Sequence, residues 1–317
     1  MTDFASATML RLLSQGMHEL GLQVPLRGTA RVRETRQAHV HLDDKRALIA
    51  AAVQQGGLSC LPLLARGLRV HHEDPTHRAL AGARDVPDLL RRWCRLERYI
   101  HSRHRVDVLS CDAHEAVLLH RSVRAGQVPQ AAEDLVVVGV LAALLQAIVA
   151  HGVRASVAGA AVWPTVDSAP LHQAVALGNT ARWRLQWQCL IPATDRPARP
   201  SSEPDAAPSD WSPLARRAAA LVSADLSDPW PLPRLAHRLG LATRSYQRGL
   251  ADGGLSHSEL VAQTRCRVAA RWLVRTSPSL AEVGFLCGYA DQAHFTRSFT
   301  ARVGLPPGQY RQSFATA

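Results

Sequence analysis

Lysine is almost missing from this chain: Lys45 is the only one among 317 residues, although the formal net charge is +11. Nearly all the positive charge is therefore guanidinium, which grips phosphate through paired, fixed-geometry hydrogen bonds. GC-rich codon usage accounts for part of the lysine shortage but not for the net charge, so a polyanionic partner is expected. Cysteine is sparse and scattered. The six thiols, Cys60, Cys94, Cys111, Cys189, Cys266 and Cys287, form no C-x-x-C pair. That spacing excludes a zinc ribbon and a disulfide framework and points to reduced thiols in a cytoplasmic protein.

Catalytic signatures are also lacking. No G-x-S-x-G, Walker loop, G-x-G-x-x-G or H-E-x-x-H occurs, so neither an enzyme nor a cofactor is expected. Long apolar runs are limited to LVVVGVLAALLQAIVAHGV (135–153), which carries Gln146 and His151. It is read as a buried core helix rather than a membrane span. The first twenty residues have no basic n-region, and Met9, Leu13, Met17 and Leu20 recur at helical spacing. They are expected to start a folded domain rather than to form a signal peptide.

Proline and small polar residues mark the division of the chain. TDRPARPSSEPDAAPSDWSP (194–213) spaces five prolines among Ser, Asp and Ala, a composition unsuited to a packed helix or strand. The expected organisation is an N-terminal domain at 1–196, a linker at 197–211 and a C-terminal domain at 212–317. Upstream, helices are expected in LDDKRALIAAAV, capped by Asp43 or Asp44, in DVPDLLRRWCRLERYIHSR and over 134–151. RVDVLS, EAVLLHR, RASVAGAAV and RWRLQWQCLI read as strands, making this half α+β. Trp183 and Trp187, set among Arg182 and Arg184, fit the alternation of a strand better than an aromatic cage.

The downstream third contains one unit twice: LPRLAHRLGLATRSYQRGL (232–250) and SLAEVGFLCGYADQAHFTRSF (279–299). In each, a short amphipathic helix ends at a Gly-hydrophobic pair, Gly240-Leu241 or Gly288-Tyr289, and a second short helix follows. Glycine suits the positive φ at a helix C-terminus, and the next apolar side chain folds back onto the helix it closes. This is helix-turn-helix chemistry in two copies.

At 100° per residue, Phe295, Phe299 and Val303 share one side of the last helix, leaving Ala293, His294, Arg297 and Ala301 opposite. In the first copy Tyr246 and Leu250 face inward, Arg244 and Arg248 outward, and Gln247 lies on the flank. Arg and Gln are the side chains that pair with guanine and adenine edges in a major groove. The intervening SELVAQTRCRVAARWLV (258–274) would form a helix about 25 Å long, enough to hold two reading helices about one DNA turn apart. From Trp211 onward there are 13 arginines against 6 acidic residues, a net of +7. All-α architecture and double-stranded DNA as partner are expected for this part.

The stretch SLAEVGFLCGYADQAHFTRSFTARVGLPPGQYR (279–311), about a tenth of the chain, resembles the signature of the AraC/XylS transcription regulators. With the first copy and connecting helix, the resemblance covers about a third. It implies a seven-helix domain whose third and sixth helices enter adjacent major grooves. Base contacts would come from Arg244, Gln247 and Arg248 in the first copy and from Ala293, His294 and Arg297 in the second. Pro307 and Tyr310 match the closing motif, while Arg302 and Arg311 would be phosphate contacts or solvated surface.

Two positions depart from the family pattern. Ala242 stands where Ser usually caps the first reading helix, with Thr243 the nearest substitute, and Gly249 interrupts that helix. Each costs about 1 kcal/mol, which makes the first copy the softer reader, one that orders fully on DNA.

The N-terminal order of elements is similar to the arabinose-binding-like effector domains of regulators of the ornithine-utilisation type. The resemblance implies a small-molecule effector, possible homodimerisation, RNA polymerase as a partner and a role as an activator. Within LRGTARVRETR, Arg27, Arg31 and Arg33 share one face if extended, as an anionic-effector site or as an exposed basic edge. The pairs His39/His41, His71/His72 and His101/His104 match no second ligand cluster, and no metal site is expected. The rival functions are an enzyme of the DNA-repair alkyltransferase kind fused to this DNA-binding domain, and an architectural DNA-binding protein.

Overall fold

A computed structural model describes residues 4–25, 39–69, 75–100, 103–190, 208, 211–275 and 278–314. The chain separates into two compact units, Met1–Arg196 and Pro197–Ala317. Arg27, Arg31, Arg33, His71, His72, His101 and almost all of the 197–211 segment lie outside the described residues.

The N-terminal unit is α+β. Strand β1 (Phe4–Ser6) leads into α1 (Ala7–Glu19), then β2 (His39–His41), α2 (Leu42–Gly56), α3 (Pro75–Ala81) and α4 (Val86–Ile100). Next come β3 (His104–Cys111), β4 (Glu115–Ser122), α5 (Ala131–Gln146), β5 (Val149–His151), β6 (Arg154–Val157) and β7 (Ala160–Trp163). The unit closes with α6 (Ser168–Ala176), β8 (Arg182–Gln186) and β9 (Cys189–Leu190). Five strands form one antiparallel sheet in the order β3-β4-β8-β6-β7, and β1-β2 and β5-β9 make separate pairs.

Period-two alternation is clean on β8: Trp183 and Leu185 are buried, whereas Arg182 and Arg184 point outward. Trp187 is buried just beyond the strand's end. Against the sheet lies α5, apolar around its whole circumference and buried over most of its length, as a helix without a polar face must be. Among the described residues, no single helix is long and apolar enough to cross a membrane.

Several expected boundaries change. The cap of α2 is His41, whose Nδ1 accepts from Asp43 N at 3.4 Å, so Asp43 and Asp44 occupy the first helical turn instead. Both still favour the helix N-terminus electrostatically. Helix α5 starts before residue 134, because Gln130 and Glu133 close a capping box, and it ends at Gln146, so 149–151 is strand. RASVAGAAV is a hairpin rather than one strand: Ala158 and Gly159 both take positive φ, the signature of a type I′ turn. RWRLQWQCLI divides between two sheets.

The core under the sheet is polar as well as apolar. Asp134 accepts from Thr180 Oγ1 at 2.5 Å and lies 2.7 Å from His120 Nδ1, while Trp183 Nε1 donates to Thr180 O. His104, buried on the same side, lies edge-on to His120 and 3.8 Å from Glu133. Glu97 ties α4 to β3 by accepting from Trp93 Nε1 and Val106 N, both at 2.8 Å. Burial pushes the Glu97 carboxyl up to about 7.

A raised folded-state pKa stabilises the fold fully below the unfolded value of 4.5, and that contribution disappears as pH rises through about 7. The shift corresponds to a loss on the order of 3 kcal/mol. Between pH 5 and pH 8 the urea midpoint of the N-terminal unit should have a more negative pH slope in the wild type than in Glu97→Gln; the comparison isolates Glu97 from His104, which burial holds down to about 4 and which contributes with the opposite sign. Equal slopes for the two proteins would contradict the assignment.

Candidate nucleic-acid interface

The C-terminal unit contains seven helices among the described residues: α7 (Pro213–Ala224), α8 (Leu232–Arg238), α9 (Thr243–Ala251), α10 (His257–Arg275), α11 (Leu280–Leu286), α12 (Gln292–Val303) and α13 (Pro307–Phe314). Helices α8-α9 and α11-α12 are the two copies, and α10 joins them.

The two turns have the same backbone chemistry. Gly240 and Gly288 take φ of 74° and 80°. Leu241 N donates to Ala236 O at 3.0 Å, and Tyr289 N donates to Gly284 O at 3.1 Å. In both cases the residue after glycine reaches five positions back, satisfying a carbonyl that the ending helix leaves open. The side chains then pack inward: Leu241 against the first core and Tyr289 fully into the second.

Each copy has its own core. The first gathers Trp211, Val222, Trp230, Leu235, Tyr246, Leu250 and Leu260. The second gathers Val268, Leu273, Val283, Tyr289, Phe295 and Phe299. Leu226 packs against both.

The backbone around Leu226 is held by Arg265 of α10, whose Nη2 donates to Leu226 O at 3.1 Å and to Asp228 O at 2.7 Å. Asp228, itself buried, pairs with Arg234 of α8. A further tie runs through His257, whose Nε2 donates to Trp230 O at 2.9 Å while Tyr246 O–H bonds its Nδ1 at 3.2 Å. These bonds place the first copy against the connecting helix, and the second copy packs on that helix's other end.

Arg244, Gln247 and Arg248 are exposed on α9, opposite buried Tyr246 and Leu250. Ala293, His294 and Arg297 are exposed on α12, opposite Phe295 and Phe299, with Val303 packed on the second core. Each trio thus shares one outward face of its helix. Arg302 is exposed and bonds back to Ser298 O and Oγ. Arg311 is neither a free cation nor solvated surface: it is partly buried and donates to Leu273 O and Pro278 O, closing the end of α10. A motif position cannot reveal that role, because the acceptors lie more than thirty residues away.

The caps differ between the copies. Ala242 gives α9 no side-chain cap, whereas Asp291 Oδ1 caps α12 by accepting from His294 N at 2.7 Å. Helix α9 is nonetheless formed. A Cβ at Gly249 would lie 2.7 Å from Leu214 Cδ2 of α7, the end of a side chain that can turn aside.

Other chemistry is limited among the described residues. No group of three or more His, Cys, Asp or Glu side chains is placed to hold a metal. Burial pushes the thiols of Cys60, Cys111 and Cys266 up, and that of Cys94 up to about 11, the opposite of nucleophile activation. The outer face of the N-terminal sheet has a hollow of about 490 Å³ lined by Val117, Leu119, Ser156, Ala181, Arg182 and Arg184, among others.

Residues 235–313 match the family model described as a helix-turn-helix domain. The chain is 29% identical over 90 residues to the porin thermoregulatory protein EnvY of Escherichia coli, covering 28% of this chain and 36% of that protein. It is 30% identical over 100 residues to the ornithine utilization regulator of Pseudomonas aeruginosa, covering 32% of this chain and 30% of the relative. The matched stretch therefore spans about a third of either relative. Among solved structures, the transcriptional regulator CdpR from Pseudomonas aeruginosa aligns over 95% of this chain and 97% of its own, at 16% identity and a TM-score of 0.38. Residues 235–313 of the C-terminal unit form a helix-turn-helix domain of the AraC type.

Proposed function

We propose that the chain is a sequence-specific transcriptional regulator, an activator whose N-terminal unit binds a small-molecule effector and mediates homodimerisation. The observation that carries the DNA-reading part is the pair of matching turns, each followed by a helix with a buried apolar face and an exposed Arg-bearing one. Arg244, Gln247 and Arg248 read one major groove; Ala293, His294 and Arg297 read the next; Arg302 contacts phosphate. The joining helix α10 has 19 residues and is about 28 Å long, close to the ~34 Å between successive major grooves on one side of a duplex.

The effector part rests on the hollow on the N-terminal sheet, where apolar side chains and two arginines line one concavity. Such an effector acts only if it binds more tightly to one of two arrangements, one competent for DNA and RNA polymerase and one not.

The test is selection of genomic DNA fragments by the full-length protein at physiological salt, run beside Arg297→Ala. A specific reader enriches a short set of sites over bulk DNA by roughly 10³ or more. Arg297→Ala should weaken binding there by about 1–3 kcal/mol and relax preference at one base pair, with little change in non-specific affinity. Recovery of fragments without preference, with and without cell-extract metabolites, would favour the architectural reading instead.

A further inference from the structure

The outward face of α12 has a hydrogen-bonding polarity that residue types alone do not fix. A neutral imidazole can carry its proton on either nitrogen and so can offer a donor or an acceptor at its outer edge. At His294 the backbone decides. Ala290 N–H donates to His294 Nδ1 at 3.3 Å. A backbone N–H can only donate, so Nδ1 must hold its lone pair and the ring proton resides on Nε2.

The ring is also held from the side. Tyr289, buried in the second core, meets it edge-on with centroids 5.4 Å apart and planes at 82°. Both restraints come from the turn itself, because Tyr289 follows the helix-ending Gly288 and Ala290 follows Tyr289. The turn that closes α11 therefore sets the tautomer of a side chain on α12.

With Nδ1 engaged, the exposed edge of His294 offers only an N–H. Its two outward neighbours add no acceptor: Arg297 is donor-only and Ala293 has a methyl group. In the major groove, guanine shows N7 and O6, adenine N7 and thymine O4 as acceptors, whereas cytosine shows the N4 amino donor. We propose that His294 is a specificity-determining residue that reads a base-edge acceptor through Nε2–H, so that the second half-site excludes cytosine opposite it. This inference rests on the DNA-reading function proposed above. The first copy differs, because Gln247 can both donate and accept and so suits the paired N6 and N7 of adenine.

Two measurements test it. The first uses full-length protein carrying ¹⁵N-labelled histidine, with His294→Gln identifying the signal; long-range ¹H–¹⁵N correlation should show His294 protonated at Nε2 and bare at Nδ1. A proton on Nδ1 overturns the proposal without touching the regulator reading.

The second uses the sites selected by the wild-type protein. The base pair whose preference His294→Ala relaxes is rebuilt without its acceptor: a 7-deazapurine removes N7, 2-aminopurine removes guanine O6, and 5-methyl-2-pyrimidinone removes thymine O4, the decisive analogue being the one that lacks the atom read. Wild-type affinity should fall about three- to tenfold, the loss expected of one hydrogen bond. His294→Ala should be indifferent to the change, and His294→Gln, which keeps an N–H donor, should remain sensitive. Equal losses for wild type and His294→Ala, or a loss in His294→Ala that is uniform over all sequences, overturn the proposal while the regulator stands. A wild-type protein that selects no sites overturns both readings, and the tautomer measurement still reports on the ring.

Discussion

Gly288→Ala should destabilise the C-terminal unit by about 2–5 kcal/mol, whereas the equivalent change in the other copy, Gly240→Ala, should cost about 1–2 kcal/mol. Both glycines adopt left-handed φ, and a Cβ in that conformation costs roughly 1–2 kcal/mol at either site. They differ in what surrounds them. A Cβ on Gly240 meets nothing within 4 Å, but one on Gly288 would sit 1.9 Å from Leu226 O and 2.9 Å from Arg265 Nε. The carbonyl is backbone and is held by Arg265 Nη2, so it cannot move aside without releasing that bond. Overpacking of this kind adds about 1–3 kcal/mol to the φ term.

The consequence should extend beyond stability. Leu226 belongs to the packing of both cores, so displacing it disturbs the arrangement of the two reading helices. DNA affinity should therefore fall more for Gly288→Ala than for Gly240→Ala even at a temperature where both are folded. Urea melts of the two variants, paired with titrations on a selected site, check this. Equal costs for both substitutions would show that the Leu226 carbonyl yields freely.

How much of this could be read from sequence depends on whether the decisive partner was local. Both turns were legible, because a glycine after an amphipathic run followed by an apolar residue is a short-range pattern with one main backbone solution. So were the faces of α9 and α12, since burial of Tyr246, Leu250, Phe295 and Phe299 follows from helical period. In the N-terminal unit the alternation on β8 was equally plain.

What the sequence left hidden depends on long-range contacts. Nothing within four residues of Arg265 indicates that it clamps Leu226 and Asp228, and the same holds for Arg311 on Leu273 and Pro278. The hairpin at Ala158-Gly159 was missed because Ala is a poor marker of positive φ compared with Asn or Asp. The polar cluster of His104, His120, Glu133 and Asp134 was missed for another reason: Asp134 read as the start of a helix with Glu133 just outside it, and only the sheet packed against that helix brings the two histidines to them. His294 lies between these cases. Its outward position follows from the helical wheel, but its tautomer follows from a turn geometry that no pattern of residue types states.

Phe299→Ala should cost the C-terminal unit about 3–5 kcal/mol, the loss for truncating a buried phenylalanine into a core too tightly packed to collapse. Its ring is fully buried and stacks edge-on against Phe295 at 5.7 Å and Tyr310 at 5.3 Å, so its removal leaves a cavity between α12 and α13. For a unit of this size the loss corresponds to a fall in melting temperature of roughly 15–30 °C. Since domains of this kind have only about 5–15 kcal/mol in total, the loss removes a large share of the unit's stability, and it falls on the second copy first. Hydrogen exchange should therefore show protection lost first over α12 and α13, with α9 and its Tyr246 core retained longer. Arg297→Ala, two residues away but on the opposite face, should leave the melting temperature nearly unchanged while weakening binding to a selected site. If Phe299→Ala melts like the wild type, or Arg297→Ala melts as low as Phe299→Ala, the division of α12 into a core face and a reading face is wrong, and the assignment of Ala293, His294 and Arg297 to the groove falls with it.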